Sequence, residues 1–171
     1  MADIILDTNI LADLLAQYYD SAFSKRGLFD NYRTLNNDLV REINKIVAWH
    51  TENDWGDVSF DSTGLIIAST FAFVEIARKF REIAEDRFTL DQFAAFIDQP
   101  PEWFFISSVD AILLPYLTHL PAEVKLSNGG TKPMELADAI HLATAMSRDE
   151  YLIAATDERM RQVSFLNDRF V

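Results

Sequence analysis

The sequence predicts an α/β fold with a mainly parallel central sheet, on three observations. Four short apolar runs, Ile4–Leu6, Leu65–Ala68, Trp103–Ile106 and Tyr151–Ala155, have the length and content of buried strands. Between them apolar residues recur three and four positions apart, the spacing of one helix face. Strands that alternate with helices are joined by crossovers, and crossovers make neighbouring strands parallel. At 171 residues and 49% hydrophobic, the chain supplies one core, so residues 1–171 are read as a single domain.

Ile4, Ile5 and Leu6 end at Asp7, after which Thr8 and Asn9 stand as caps for a helix carrying Ile10, Leu11, Leu14 and Leu15. Ligands gather at the carboxyl edge of a parallel sheet, so Asp7 has two readings, a site carboxylate or a helix cap. From Tyr18 to Asp61 strand signals are few. Leu35, Leu39, Ile43, Ile46, Val47 and His50 predict a helix from about Thr34 to His50. The first crossover far exceeds the dozen or so residues it needs, and a helical insertion is expected over about 20–62. Its aromatics Phe29, Tyr32, Trp49, Trp55 and Phe60, with Arg41 and Lys45, suit either stacked bases and phosphates or an ordinary core.

After the second strand, Ser69 and Thr70 lead into a helix with Phe73, Ile76, Ala77 and Phe80 inward. Glu75, Arg78, Lys79 and Glu82 lie three or four apart, as either a solvated ion-paired face or an acid and two bases of a site. Thr89 caps a helix with Leu90, Phe93, Ala94, Phe96 and Ile97, which Pro100 and Pro101 end. Asp110 to Leu120 reads as a moderately apolar helix closed by Pro121, and Ser127 to Thr131 as a loop.

A helix is then expected over Lys132 to Met146, with Leu136, Ala139, Ile140, Ala143 and Met146 on one face and Pro133 in the first turn. Its alanines allow close approach to a sheet. Asp138 sits among small and apolar neighbours, where a carboxylate needs a charged or hydrogen-bonding partner. A buried ion pair, a cap or a functional site would each supply one. Tyr151–Ala155 follows as the last strand, ending in Thr156 and Asp157.

The net charge, 15 minus 27 or −12, opposes a phosphate backbone, so a nucleic-acid function requires local cations. No run approaches the roughly 20 apolar residues of a membrane span, and the first residues lack a basic leader, so a cytoplasmic protein without membrane partners is expected. Zero cysteines and three histidines leave oxygen ligands as the main donors for any metal, favouring Mg²⁺ or Mn²⁺ over zinc. No glycine-rich phosphate cradle is present.

Four acids stand out: Asp7 and Asp157 after strands, Glu75 on the helix after the second strand, and Asp138 on the helix before the last. In a parallel sheet they can converge at one edge. Two carboxylates about 4 Å apart repel by roughly 4 kcal/mol at an effective dielectric near 20, so protons or a divalent cation must offset such a cluster.

ILDTNIL at Ile5–Leu11, FVEIARKF at Phe73–Phe80, ELADAIHLATA at Glu135–Ala145 and AATDERM at Ala154–Met160 together resemble the PIN domains. The resemblance is to the VapC-type ribonuclease toxins of bacterial toxin-antitoxin pairs in particular. It implies a three-layer α/β/α sandwich and a metal-dependent endoribonuclease site. Asp7, Glu75, Asp138 and Asp157 would hold Mg²⁺ or Mn²⁺, with Thr8 and Thr156 as polar neighbours. An antitoxin protein and a homodimer are implied as partners. Arg78, Lys79 and Arg159 or Arg161 are candidates to meet RNA phosphates. His141, one turn after Asp138, reads as substrate contact or structural histidine. Two rivals stand beside this expectation. One is a catalytically silent PIN-like module that grips a protein or RNA partner. The other is phosphoryl transfer through an aspartate nucleophile at Asp7, against which Asn9 occupies the second acidic position of the usual D-x-D pattern.

Overall fold

The computed structural model describes residues 1–31, 33–52 and 64–171. Tyr32, Trp55 and Phe60, three of the aromatics expected to mark the insertion, lie outside the described residues. Four parallel strands form the central sheet in the order β3-β2-β1-β6: β1 (Asp3–Leu6), β2 (Ile66–Ser69), β3 (Phe104–Ser107) and β6 (Tyr151–Ala154). Each is four residues long and close to its predicted position. The β6 edge is capped by the chain's own end, where Phe170 bridges to Ile153 and the Val171 N–H donates to the Ile153 carbonyl at 3.0 Å. An edge so covered is no template for another chain.

Side chains alternate across the pleat, and the two faces feed two cores. Ile4, Leu6, Ile66, Ala68 and Ala154 face one side. There they meet α1 (Thr8–Tyr18), α3 (Asn37–Glu52), α4 (Thr70–Arg78) and α6 (Leu90–Asp98). Ile5, Ile67 and Ile153 face the other, against α8 (Leu136–Met146) and Met160 of α9 (Glu158–Arg161). The architecture is mixed α/β with helices on both faces of a parallel sheet, an arrangement compatible with three α/β/α layers.

The described part of the expected insertion is no satellite. It contains α2 (Ser21–Arg26) and α3, whose Leu39, Ile43, Ile46 and Val47 are buried in the same core as Ile4 and Leu6. Phe29 is buried too, its ring 4.6 Å from Phe23 and 5.7 Å from Trp103, so this aromatic packs rather than presents a stacking surface. Asp13, 1% exposed on α1, ties the layer together. It accepts hydrogen bonds from the Thr34 N–H at 2.8 Å, from the Thr34 hydroxyl, and from Arg87 Nη1 at 2.6 Å.

Four local expectations are corrected. The helix expected to run through Phe80 breaks at Lys79 (φ −107°, ψ 26°), and a separate turn, α5 (Phe80–Ile83), follows. The helix expected over Asp110–Leu120 is a 3₁₀ turn, Ala111–Leu113, followed by the single turn α7 (Leu114–Leu117). Pro115 lacks the N–H that would bond the Ala111 carbonyl, which the Leu114 N–H takes instead. The loop around Gly129 is the turn of a hairpin between β4 (Glu123–Lys125) and β5 (Thr131–Pro133), with Gly129 at φ +82°. Pro133 therefore ends a strand, and α8 starts at Leu136 with Glu135 in the cap position. Ile140 to Ala145 are all buried in α8 while Leu136 is exposed, so burial follows the helix's middle rather than one stripe.

Candidate functional site

Each strand of the sheet ends on the same edge, and three of the predicted acids follow from that geometry. Asp7 closes β1 and caps α1, its Oδ1 accepting the Ile10 N–H at 2.8 Å. It, not Thr8 or Asn9, is the cap. Its Oδ2 accepts the Thr156 N–H at 2.7 Å and the Thr156 hydroxyl at 3.0 Å, which ties β1 to the end of β6. Asn9 Nδ2 in turn donates to Thr156 Oγ1 at 3.2 Å. Asp157 caps α9 through the Arg159 N–H at 2.8 Å. Glu75 comes from the second turn of α4, after Ser69 has capped that helix at the end of β2. Asp138 arrives from the opposite layer on α8.

All four acids line one cavity of about 330 Å³, together with Thr8, Asn9, Lys79, Glu135, His141, Thr156 and Arg159. The two readings of Asp7 are thus compatible, since one carboxylate both caps α1 and faces the cavity. Arg78 is not part of this lining. The break at Lys79 turns the two bases apart, and Arg78 lines a neighbouring cleft with Arg81, Glu82 and Glu85, while Lys79 borders both. Arg161 is turned away as well, with its guanidinium on the Ala155 carbonyl at 3.0 Å and over the Phe170 ring.

Two hydrogen-bonded groups divide the cavity. On one side the Thr8 hydroxyl donates to Glu75 Oε2 at 2.5 Å, with His141 Nε2 3.4 Å from the same hydroxyl and 4.0 Å from the carboxylate. His141 is 2% exposed, and burial lowers its pKa against the opposing pull of Asp7 and Glu75, so it stands there as neutral imidazole. On the other side Arg159 gathers the acids. Its Nε and Nη2 grip Asp157 at 3.0 and 2.5 Å, Nη1 donates to Glu135 Oε1 at 2.5 Å, and Nη2 lies 3.5 Å from Asp138 Oδ2. Hydrogen bonds from Arg159 hold the Asp157 carboxyl below its ordinary pKa.

Asp138 fares differently. It is 7% exposed, and its Oδ2 is buried without a hydrogen bond, the 3.5 Å approach of Arg159 being an ionic contact only. Burial first, then Asp157, Glu135 and Asp7, raise its pKa to about 6 against the pull of Arg159. Glu135 was legible in the sequence only as a neighbour three residues before Asp138, and its meeting with Arg159 is a tertiary event.

The donors facing the cavity are mainly carboxylate oxygens, which suits Mg²⁺ or Mn²⁺, and two atoms of the lining residues, Asp138 Oδ2 and His141 Nδ1, are buried without a hydrogen bond. As the side chains stand, no group of three or more carboxylates and imidazoles among the described residues is set out to hold an ion. The guanidinium of Arg159 lies among Glu135, Asp138 and Asp157 instead. Among the described residues no helix is long and apolar enough to cross a membrane. Compared with protein-family models, curated proteins and solved structures, the chain has no significant match.

Proposed function

We propose that this cavity is the active site of a Mg²⁺- or Mn²⁺-dependent endoribonuclease with a PIN-like fold, working in the cytoplasm. The observation that carries the reading is the convergence of Asp7, Glu75, Asp138 and Asp157 on one cavity at the carboxyl edge of the sheet, with a buried Asp138 oxygen left without a hydrogen bond. Asp7, Glu75, Asp138 and Asp157 would hold the ion. A bound Mg²⁺ or Mn²⁺ supplies a water of lowered pKa and positive charge beside the scissile phosphate.

The chain's own groups do the positioning. Thr156 locks the Asp7 carboxylate through two hydrogen bonds, and the Thr8 hydroxyl orients Glu75. Neutral His141 sets the far wall and adds no charge to repel or attract the substrate. Lys79 and Arg159 are the cations lining the cavity, placed to meet phosphate oxygens that the chain's net charge of −12 would otherwise repel. On the same resemblance, the chain is the toxin of a toxin-antitoxin pair, with an antitoxin protein and a second copy of itself as partners.

The test is cleavage of a pool of structured and single-stranded RNAs with Mn²⁺, Mg²⁺ or EDTA, comparing wild type with Asp138→Asn. Metal-dependent cutting that disappears in the variant is the expected result. A second reading, a silent module that binds a protein or RNA partner, is favoured by Arg159 already neutralising three of the acids. RNA binding without cutting under any metal would select it.

A further inference from the structure

Arg159 holds the position in the cavity where a cation is most needed. It is two residues beyond Asp157, in the first turn of α9, and its fork reaches Asp157, Glu135 and Asp138 together. A guanidinium does not deprotonate in proteins, so unlike a lysine or histidine it can yield to another cation only by moving. Its three contacts differ in kind. The grip on Asp157 is bidentate, the bond to Glu135 is on an exposed carboxylate, and the approach to Asp138 at 3.5 Å makes no hydrogen bond. Asp138 Oδ2, nine-tenths buried and lining the cavity, is therefore the oxygen with most to gain from a different cation.

Resting on the nuclease reading of this cavity, we infer that Arg159 is the resident counter-cation of the acid cluster and exchanges with the divalent ion. The ion takes Asp138 and Asp157 as Arg159 releases them, and the freed guanidinium, matched in shape to a phosphate, turns to the RNA backbone. Cation binding and substrate binding are thereby linked through one side chain. Loading the site with metal prepares it for phosphate, and without metal the same arginine holds the cluster closed. Arg159 is on this account a positioning residue before substrate arrives and a phosphate contact afterwards.

The experiment titrates Mn²⁺ alone into the full chain by calorimetry, for wild type, Arg159→Met and Arg159→Lys, with a thermal melt confirming that each is folded. Arg159→Met is expected to bind Mn²⁺ at least ten-fold tighter than wild type, and Arg159→Lys, which keeps the charge without the fork, to fall between. In a companion titration with diamagnetic Mg²⁺, the Arg159 Nε–H signal in a ¹⁵N spectrum should shift and lose its protection from exchange as the site fills. If Arg159→Met fails to fold, the lysine variant and the Nε–H signal carry the test. Tighter binding in the variants, with wild type still binding and its Nε–H signal moving, supports the exchange; binding only in the variants overturns it, because Arg159 then excludes the ion rather than yielding to it. Equal or weaker binding in folded variants, with an unmoved Nε–H signal, overturns it while leaving the metal site standing. Absence of Mn²⁺ binding in all three proteins overturns both the exchange and the metal-dependent reading.

Discussion

Replacing Asp138 by Asn separates a carboxylate kept for chemistry from one kept for the fold. The substitution preserves shape and removes the charge. Burial, then Asp157, Glu135 and Asp7, raise this group from 3.8 to about 6. Between about pH 4 and pH 6 the folded chain keeps a proton that the unfolded chain has released. Wild-type stability contributed by this group therefore falls as pH rises through that window and stays reduced above it. At full strength, a rise from 3.8 to about 6 corresponds to about 3 kcal/mol. Solvent reaching the cavity screens it, leaving about 1–2 kcal/mol. In EDTA at pH 7.5, Asp138→Asn should be more stable than wild type by that amount, or roughly 2–8 °C in Tm for a chain of this size. The advantage should vanish by pH 4. Arg159 is not orphaned, because Asp157 and Glu135 still hold it. Urea melts at pH 4, 5.5 and 7.5 provide the measurement. Destabilisation at pH 7.5, or a difference that ignores pH, would refute the reasoning and return Asp138 to the role of a structural ion-pair partner.

Asp13→Ala is expected to act in the opposite sense. It leaves the largely buried Arg87 guanidinium without its carboxylate and removes the acceptor of two Thr34 bonds, so a loss of about 3–5 kcal/mol in a denaturant melt is expected. Ile43→Ala should cost about 2–5 kcal/mol, because α3 belongs to the main core; a cost under 1 kcal/mol would mark that helix as separable. Lys79→Ala should raise the KM for RNA by about ten-fold, near the low end for losing a hydrogen bond to a charged group, while Arg78→Ala, outside the cavity, should leave it within two-fold. Equal effects of the two variants would mean that the break at Lys79 does not divide their roles.

Much of this protein is legible in one dimension. The strands announce themselves because a strand covered by helices is largely apolar, and Ile4–Leu6 or Leu152–Ala154, set beside a helix-patterned neighbour, suits little except a strand; the edge strand β3 keeps the same apolar run although its Phe105 is exposed. Asp7, Asp138 and Asp157 stand out for a related reason: a carboxylate set where apolar residues belong requires a local cause. The sequence by itself determined the alternation of elements, the parallel sheet and the edge at which the acids meet, since all three follow from local periodicity and the polarity of a crossover. Short or composite features stayed hidden. The three-residue strands of the hairpin are too brief for any period to show, and no proline or glycine marks the break at Lys79, whereas the break at Pro115 has a local cause in the missing N–H of the proline. Asp13 gave no signal, because its partners Thr34 and Arg87 are distant in sequence and its cost is offset only when all three meet. The placing of Arg159 was likewise a tertiary decision. In the sequence it reads only as a candidate phosphate contact near Asp157. Only the packing of α8 against the end of β6, which brings Glu135 and Asp138 within reach of the same guanidinium, makes it the cation of the cluster.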